Sequence, residues 1–189
     1  MGKFYSLAEQ KGLLRKALAG KCAALKSGER TLRSQNILAK LLAHPQFSEA
    51  RILLCYAARA PEVETRPLLE EALRKKKKLF VPKLDPISQK IEMIELRDVR
   101  DLKPGAYGIL EPPFNPERVG NPRDLDLVIA PGVGFDREGG RLGRGVGLFD
   151  RFLEEARSAY KIGLAFECQL VEKIPSEEHD IIMDEIIIG

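Results

Sequence analysis

Cysteine is scarce in this sequence, and its placement argues against two kinds of site. Cys22, Cys55 and Cys168 are the three cysteines among 189 residues, and no two of them have Cys-x-x-Cys spacing. An odd number of widely separated cysteines does not suit a disulfide framework, and a structural zinc site needs ligands at closer spacing. We therefore expect free thiols and a reducing compartment.

Long apolar runs are also lacking near the start of the chain. Charged side chains recur from Lys3 through Lys11 to Arg15. Such a segment does not suit a secretory signal or a membrane span. The sequence predicts a cytoplasmic protein with no membrane partner.

Charge of one sign is not in excess either. The 31 basic and 28 acidic residues leave a net charge of +3, which provides no polycationic surface for nucleic acid. The basic run at residues 74–78 is better explained as a solvated helix end, because cations complement the helix dipole there. The partners are therefore expected to be small molecules.

With 44% hydrophobic content and no break in composition, residues 1–189 are predicted to form a single domain, and we expect a monomer.

Glycine and arginine, by contrast, are concentrated in one segment. Residues 132–151, the glycine-rich segment, contain seven glycines, four arginines and two aspartates. Glycines let a backbone approach a ligand and direct its amides inward, and arginines neutralise oxyanions. A carboxylate at a helix start can also hold a metal. Together these residues predict a phosphate site.

The flanks of the glycine-rich segment support that prediction. A β-rich run at 125–130 precedes it, and Phe149, Phe152 and Leu153 then recur at helical spacing. A strand, a glycine loop and a helix in this order are typical of phosphate binding. The loop matches neither the Walker A pattern nor the dinucleotide fingerprint, so a mobile surface loop is the alternative.

Strand and helix patterns alternate through most of the chain. The first helix opens with a capping box at Ser6 and Glu9, carries Leu13 on its apolar face and ends near Gly28. Helices are predicted at residues 6–28, 29–42, 67–77 and 148–160, and strands at 51–57, 78–82, 90–96, 125–130, 161–166 and 185–188. A proline-rich loop at 104–122 could fold over a ligand. The pattern predicts an α/β fold, a three-layer sandwich with a mainly parallel central sheet.

Ligands of parallel sheets bind beyond the carboxyl ends of the strands. Polar residues that follow the predicted strands should therefore converge on one cleft. They are Glu62, Glu64, Lys83, the glycine-rich segment, Glu167 and Gln169.

Several motifs together resemble one enzyme family. PGVGFD at 131–136 and RLGRGVGLFDR at 141–151 are similar to the signature of 5-formyltetrahydrofolate cyclo-ligases, also called methenyltetrahydrofolate synthetases. KGLLR at 11–15, EVET at 62–65, KIGLAFECQ at 161–169 and the stretch from His179 to Glu185 agree with the family's other motifs in order. The resemblance covers nearly the whole chain. It implies a fold related to the sugar-phosphate isomerase and CoA-transferase-like folds.

The activity implied by the resemblance is the closure of 5-formyltetrahydrofolate to 5,10-methenyltetrahydrofolate. ATP would be consumed, magnesium would be required, and ADP and phosphate would be released. A formamide oxygen is a poor leaving group, so it would first attack the γ-phosphate. N10 would then attack the resulting imidate-like phosphate, and phosphate would depart. Such a transfer needs positioning and charge neutralisation rather than a protein nucleophile.

The resemblance also implies roles for individual residues. ATP would contact Lys11, Arg15, Arg141, Leu142, Gly143, Arg144, Gly145, Val146, Gly147, Leu148 and Phe149. The reduced folate would contact Ala57, Glu62, Arg144, Gly145, Val146, Gly147 and Leu148, with the Glu62 carboxylate accepting from the N–H edge of the pterin. Arg141 and Arg144 would be catalytic, and Asp150 and Asp184 would hold magnesium. Many family members have two tyrosines where this chain has Leu148 and Phe149. Ring packing can survive at Phe149, but the tyrosine hydroxyl groups are absent.

Each of these residues also has an ordinary structural explanation. Lys11 and Arg15, spaced i and i+4, could form the solvated face of a helix. Asp150 could complement a helix dipole, Asp184 could be an exposed strand-end residue, and Glu62 a loop carboxylate. His179 is not assigned to the site.

Two other functions remain open at the level of sequence. One is a phosphorylated-metabolite isomerase or a CoA-transferase-like enzyme of the same broad fold, which needs a base near the glycine loop. Glu167 is the one candidate for that base. The other is a nucleic-acid-binding module that uses residues 74–78 and the loop arginines, although no aromatic platform supports it.

Overall fold

A six-stranded sheet forms the centre of the fold. The computed structural model describes residues 5–85, 87–105, 108–177 and 180–189. The sheet strands are β1 (Ile52–Cys55), β2 (Lys78–Asp85), β3 (Lys90–Glu95), β6 (Leu127–Ala130), β9 (Tyr160–Ala165) and β10 (Glu185–Ile188), in the spatial order β10-β9-β6-β1-β2-β3. All neighbours are parallel except β2 and β3, which form an antiparallel pair at one edge.

Two short hairpins lie outside this sheet. Strands β4 (Lys103–Pro104) and β5 (Leu110–Glu111) form one, and β7 (Gly134–Phe135) and β8 (Arg141–Leu142) form the other. The first hairpin falls within the predicted 104–122 loop, so part of that loop is regular structure. The second hairpin lies inside the glycine-rich segment.

Five helices complete the described chain. They are α1 (Leu7–Ala23), α2 (Ser27–Leu42), α3 (Pro45–Glu49), α4 (Arg66–Arg74) and α5 (Leu148–Glu155). None of the helices in the described ranges has both the length and the apolar character required to cross a bilayer.

The strands bury both faces, which explains their continuous apolar sequences. Leu53 and Leu127 face one cluster with residues of α2, α3 and α4, and Leu54 and Val128 face another with residues of α5. The sheet is therefore the middle of three layers, which confirms the predicted α/β sandwich. The third cluster joins Leu18 of α1 to Leu142 and Ile174, so α1 packs against the glycine-rich segment.

Several predicted boundaries need correction. The capping box is confirmed, because Ser6 Oγ accepts from the Glu9 amide and the Glu9 carboxylate accepts from the Ser6 amide. However, α1 ends at Ala23 and Gly28 lies inside α2, so the predicted break is misplaced. Leu13 is 51% exposed and is not part of the core. Helix α5 ends at Glu155, five residues before the predicted end at 160, whereas β10 has the predicted bounds.

Candidate active site

A cavity of about 650 Å³ opens where β1, β2 and β6 end. Its wall is drawn from the loops after these strands, from the start of α5 and from the β4–β5 hairpin. The lining residues include Tyr56, Ala57, Glu62, Leu84, Glu111, Arg141, Gly143, Arg144, Gly147, Leu148, Phe149 and Asp150. This volume lies within the usual range for small-molecule sites. The carboxyl-edge rule therefore selects the correct side of the sheet.

The glycine loop, residues 143–147, forms one wall of the cavity. It leaves β8 and enters α5 through Gly147, whose φ of 67° is left-handed at the N-cap position. Gly145 has a φ of 110°, and a Cβ there would lie 3.2 Å from Cζ of Arg15. Glycine is required at this point because a side chain would meet both strain and the guanidinium.

Arg141 is a buried cation in the cavity wall. Its side chain is 1% exposed, and its Nη2 lies 2.5 Å from Oδ1 of Asp150. Nη1 donates to the Pro131 carbonyl at 3.0 Å, and the ring of Phe149 lies 5.3 Å from the guanidinium carbon. Nε is buried and has no hydrogen-bond partner among the residues that the structure describes. The carboxylate of Asp150 thus compensates a charge that would otherwise be costly to bury.

Arg144 connects the glycine loop to the loop after β1. Its Nη2 lies 2.5 Å from Oε1 of Glu62, and its side chain is 46% exposed. The other Glu62 oxygen accepts from the Arg59 amide at 3.0 Å. An exposed arginine paired across a cavity can exchange its partner for an anionic ligand at little cost.

Hydrogen bonds between its own residues stabilise the loop that carries Glu62. The Thr65 hydroxyl donates to the Tyr56 carbonyl at 2.6 Å and accepts from the Ala58 amide at 3.0 Å. The Tyr56 hydroxyl donates to the Val63 carbonyl, and burial together with the charge of Glu62 raises the pKa of Tyr56 well above its usual value. Tyr56 therefore stays protonated and keeps the loop closed on itself.

Helix α1 brings Lys11 and Arg15 to the same region. Arg15 Nε donates to the Gly143 carbonyl at 2.9 Å. Lys11 Nζ lies 2.6 Å from Asp180 and 3.1 Å from Glu177. Burial opposes its charge, but the bonds to Asp180 and Glu177 raise the pKa of Lys11 overall. Both side chains therefore have specific partners, which a simple solvated face would not provide.

The two predicted magnesium ligands lie at opposite ends of the strands of the sheet. Asp150 lines the cavity, whereas Asp184 accepts from the Lys161 amide at 2.7 Å, just before β10 begins. Because β9 and β10 run parallel, Asp184 lies at their amino ends, opposite the cavity. The structure therefore does not bring Asp184 to Asp150, and their predicted pairing needs correction. Across the described ranges, no three His, Cys, Asp or Glu side chains form a metal-binding group. His179 lies outside the described residues.

The other polar residues expected at the carboxyl edge do not converge on the cavity. Glu64 accepts from the Thr31 hydroxyl at 3.0 Å and Glu167, 80% exposed, lies 3.9 Å from Arg33. Gln169 is buried and donates to the carbonyls of Gly132 and Val133. Lys83 pairs with Glu111 at 3.1 Å. Glu167 is therefore poorly placed to be the base that an isomerase would need.

The basic run at 74–78 is divided among internal partners. Arg74 pairs with Glu71, and Lys77 donates to the carbonyls of Ser48 and Ala50. Burial is the main cause that lowers the pKa of Lys77. Because of these contacts, residues 74–78 do not form one continuous cationic surface that could bind nucleic acid.

Glu111 was missed by the sequence reasoning, although it lines the cavity. It is a charged residue between Leu110 and Pro112 in a segment interpreted as an irregular loop. Its one sequence signal is a carboxylate placed directly after two apolar residues, and that pattern is common. Only the folded hairpin places it in the wall.

Comparisons with known proteins agree on one family. The model of the 5-formyltetrahydrofolate cyclo-ligase family matches residues 7–189. The 5-formyltetrahydrofolate cyclo-ligase of Mus musculus is 30% identical over 184 residues, which cover 92% of this chain and 91% of the mouse protein. That of Haemophilus influenzae is 33% identical over 145 residues, covering 75% and 77%. The NMR structure of Aquifex aeolicus 5,10-methenyltetrahydrofolate synthetase is 34% identical, with a TM-score of 0.83 over 94% of this chain and 89% of that one.

Proposed function

Because this chain belongs to the 5-formyltetrahydrofolate cyclo-ligase family and is thus an enzyme of that type, we propose that ATP and magnesium drive its reaction. The substrate is 5-formyltetrahydrofolate, the product is 5,10-methenyltetrahydrofolate, and ADP and phosphate are released. The observation that carries the proposal is the convergence of Arg15, Arg141 and Arg144 on a glycine loop beside one cavity.

The arginines fit a phosphoryl transfer. The formyl oxygen attacks the γ-phosphorus as the bond to the β-phosphate oxygen breaks, and ADP leaves. N10 then attacks the activated carbon and gives up its proton, and the C–O bond breaks so that hydrogen phosphate leaves. Charge on the transferring group is neutralised by Arg141 and Arg144 and by the amides of the glycine loop. Lys11 and Arg15 hold the outer phosphates, with residues from Leu142 to Phe149 around the nucleotide.

The folate lies where the loop after β1 faces the glycine loop. Ala57 and Glu62 contact it from one side, and residues 144–148 from the other. Burying it between these walls brings N10 and the formyl group to the terminal phosphate, which converts an encounter of two ligands into a positioned reaction.

The chain's carboxylates fit a magnesium ion that keeps most of its ligands from phosphate oxygens and water. Asp150 would hold it, since its carboxylate lines the cavity beside Arg141. Asp180 is a better second candidate than Asp184, because it lies against Lys11, one helical turn from the arginine that contacts the glycine loop. When bound, the metal would supply charge neutralisation for the phosphate groups.

A direct assay tests the proposal. The purified chain is mixed with 5-formyltetrahydrofolate, ATP and magnesium, and the near-ultraviolet absorption of the methenyl product is followed. We expect product only when all three are present, with one phosphate released per turnover. Failure to form product with any nucleotide would reject the ATP-driven reaction. The protein is proposed to act in the cytoplasm on small molecules alone.

A further inference from the structure

The proposed reaction leaves one buried carboxylate of the cavity wall without a role. Glu111, in β5, lines the cavity and its side chain is 3% exposed. A buried carboxylate is costly unless it is paired and hydrogen-bonded. Its presence in a ligand-facing wall therefore calls for an explanation.

The partners of Glu111 fix its carboxylate in place. Oε2 accepts from Lys83 Nζ at 3.1 Å, and Oε1 accepts from the Leu84 amide at 3.1 Å. Strand β1 pairs with β2 only as far as Phe80, and β2 continues beyond that point. The Leu84 amide is therefore not bonded to β1 and can donate to Glu111. A Cβ on Gly105 would overlap the same carboxylate, so the hairpin backbone encloses it.

This anchoring leaves room for a ligand. A carboxylate has about four lone-pair directions, and Lys83 and Leu84 occupy one on each oxygen. Each oxygen therefore keeps one lone-pair direction that no described residue fills, and the two together suit a pair of adjacent donors.

The surroundings of Glu111 differ from the arginine side of the cavity. Pro82, Leu84, Ile91 and Ile109 line the wall near it. Apolar walls with one fixed acceptor suit a flat heterocycle with a polar edge. A carboxylate offers only acceptors, so it cannot hydrogen-bond the oxygens of a phosphate group there.

We propose that Glu111 is a specificity-determining residue that accepts hydrogen bonds from N3–H and the 2-amino group of the pterin ring. The proposal rests on the folate-dependent function above. Lys83 and the Leu84 amide are positioning groups. The pterin edge presents two neighbouring donors to the two oxygens, whereas the amino group of adenine is flanked by acceptors that a carboxylate repels. Glu62, already bonded to Arg144 and the Arg59 amide, stays on the side of the reacting groups.

A ligand–protein double-mutant cycle tests this assignment. Equilibrium binding of 5-formyltetrahydrofolate, and of an analogue with hydrogen in place of the 2-amino group, is measured by calorimetry for the unaltered chain, Glu111→Gln, Glu62→Gln and Glu95→Gln. Glu95 is the matched control, because it pairs with Arg97 at 3.0 Å on β3 and does not line the cavity.

We expect Glu111→Gln to raise the Kd of the natural substrate about 10- to 100-fold, as a lost charged hydrogen bond does. The analogue should bind the unaltered chain more weakly by a similar factor, and Glu111→Gln should add little to that loss. The KM for ATP should not change, and Glu95→Gln should bind like the unaltered chain.

Three outcomes would overturn the assignment. They are full affinity of the unaltered chain for the analogue, coupling of the 2-amino group to Glu62 instead, and a loss confined to ATP. The first of these does not depend on the folding of any variant. If the unaltered chain binds no folate and forms no methenyl product, the proposed function itself fails and this assignment fails with it.

Discussion

Arg141 and Asp150 form the most buried charge pair of the cavity, with side chains 1% and 15% exposed. Removing one partner of such a pair leaves the other charge uncompensated. The Asp150 carboxylate holds the arginine and is also the proposed magnesium ligand.

We expect Asp150→Asn to raise the magnesium concentration needed for half-maximal activity and to lower the free energy of unfolding by about 3 kcal/mol. Metal titrations and thermal melting measure the two effects. Asp184→Asn is the control, because Asp184 lies at the amino ends of β9 and β10. An unchanged magnesium requirement in Asp150→Asn would contradict the metal assignment.

Arg144 should separate activity from stability. The Arg144 side of its ion pair with Glu62 is 46% exposed, and a pair with an exposed partner contributes about 0–1 kcal/mol to folding. We expect Arg144→Ala to melt close to the unaltered chain and to lose about 10²- to 10³-fold in kcat, as on removal of one transition-state donor. Arg157→Ala, which breaks an exposed pair with Glu154 on α5, should leave kcat intact. Equal losses of kcat in both variants would show that Arg144 has no specific role in the reaction.

Cys22 and Cys168 should differ in reactivity, although their sulfur atoms lie 3.7 Å apart. Burial, followed by the neighbouring Cys168, raises the pKa of Cys22 to about 12. The reactive thiolate of Cys22 is therefore scarce at pH 8 and increases only as pH approaches that value. Brief alkylation of the native chain at pH 8, followed by peptide mass spectrometry, should label the part-exposed Cys168 before Cys22. Faster labelling of Cys22 would show that the buried face of α1 is open to solvent.

At the level of elements, the glycine loop depends on backbone conformations that few residues adopt. Gly145 has a φ of 110° and faces the Arg15 guanidinium. Glycines within α1 are different, since a Cβ on Gly20 would meet nothing within 4 Å. The same substitution should thus have opposite effects at the two sites.

We expect Gly145→Ala to cost about 1–3 kcal/mol in backbone strain and to weaken nucleotide binding by displacing Arg15. Gly20→Ala should stabilise the chain by about 0.5–1 kcal/mol, because alanine is the better helix former. Chemical unfolding and ATP titrations distinguish the two. A Gly145→Ala variant with normal ATP affinity would mean that the loop does not need this conformation.

Local patterns predicted some elements better than others. The capping box and β10 followed from a few neighbouring residues, and both are present. Helix α5 was predicted too long because apolar spacing continues to Ala156, where the backbone leaves the helix with ψ at 41°. The β4–β5 hairpin was not recognised, since two-residue strands bounded by prolines give no periodic signal.

At the scale of the whole molecule, the site is made by contacts between distant parts of the chain. Arg144 meets Glu62 across 82 positions, and Lys11 meets Asp180 across 169. The resemblance to a family predicted that several of these residues share a site, but not their partners. The assignment of Asp184 is an example. Asp180, beside α1, and Asp184, at the amino ends of β9 and β10, are only four positions apart in the sequence.

The chain is predicted to act as a monomer, for which light scattering should give a mass of 21.1 kDa. Specific activity should not depend on enzyme concentration across the assay range. A stable dimer whose dissociation abolishes turnover would contradict this.

The contact between Arg144 and Glu62 makes each group the counter-ion of the other. A folate that engaged Glu62 would release the guanidinium toward phosphate, and a nucleotide that engaged Arg144 would release the carboxylate toward folate. Thermodynamic reciprocity then requires each ligand to tighten the other by the same factor. The two co-substrates would accordingly bind with positive cooperativity, and ATP hydrolysis without folate would be suppressed.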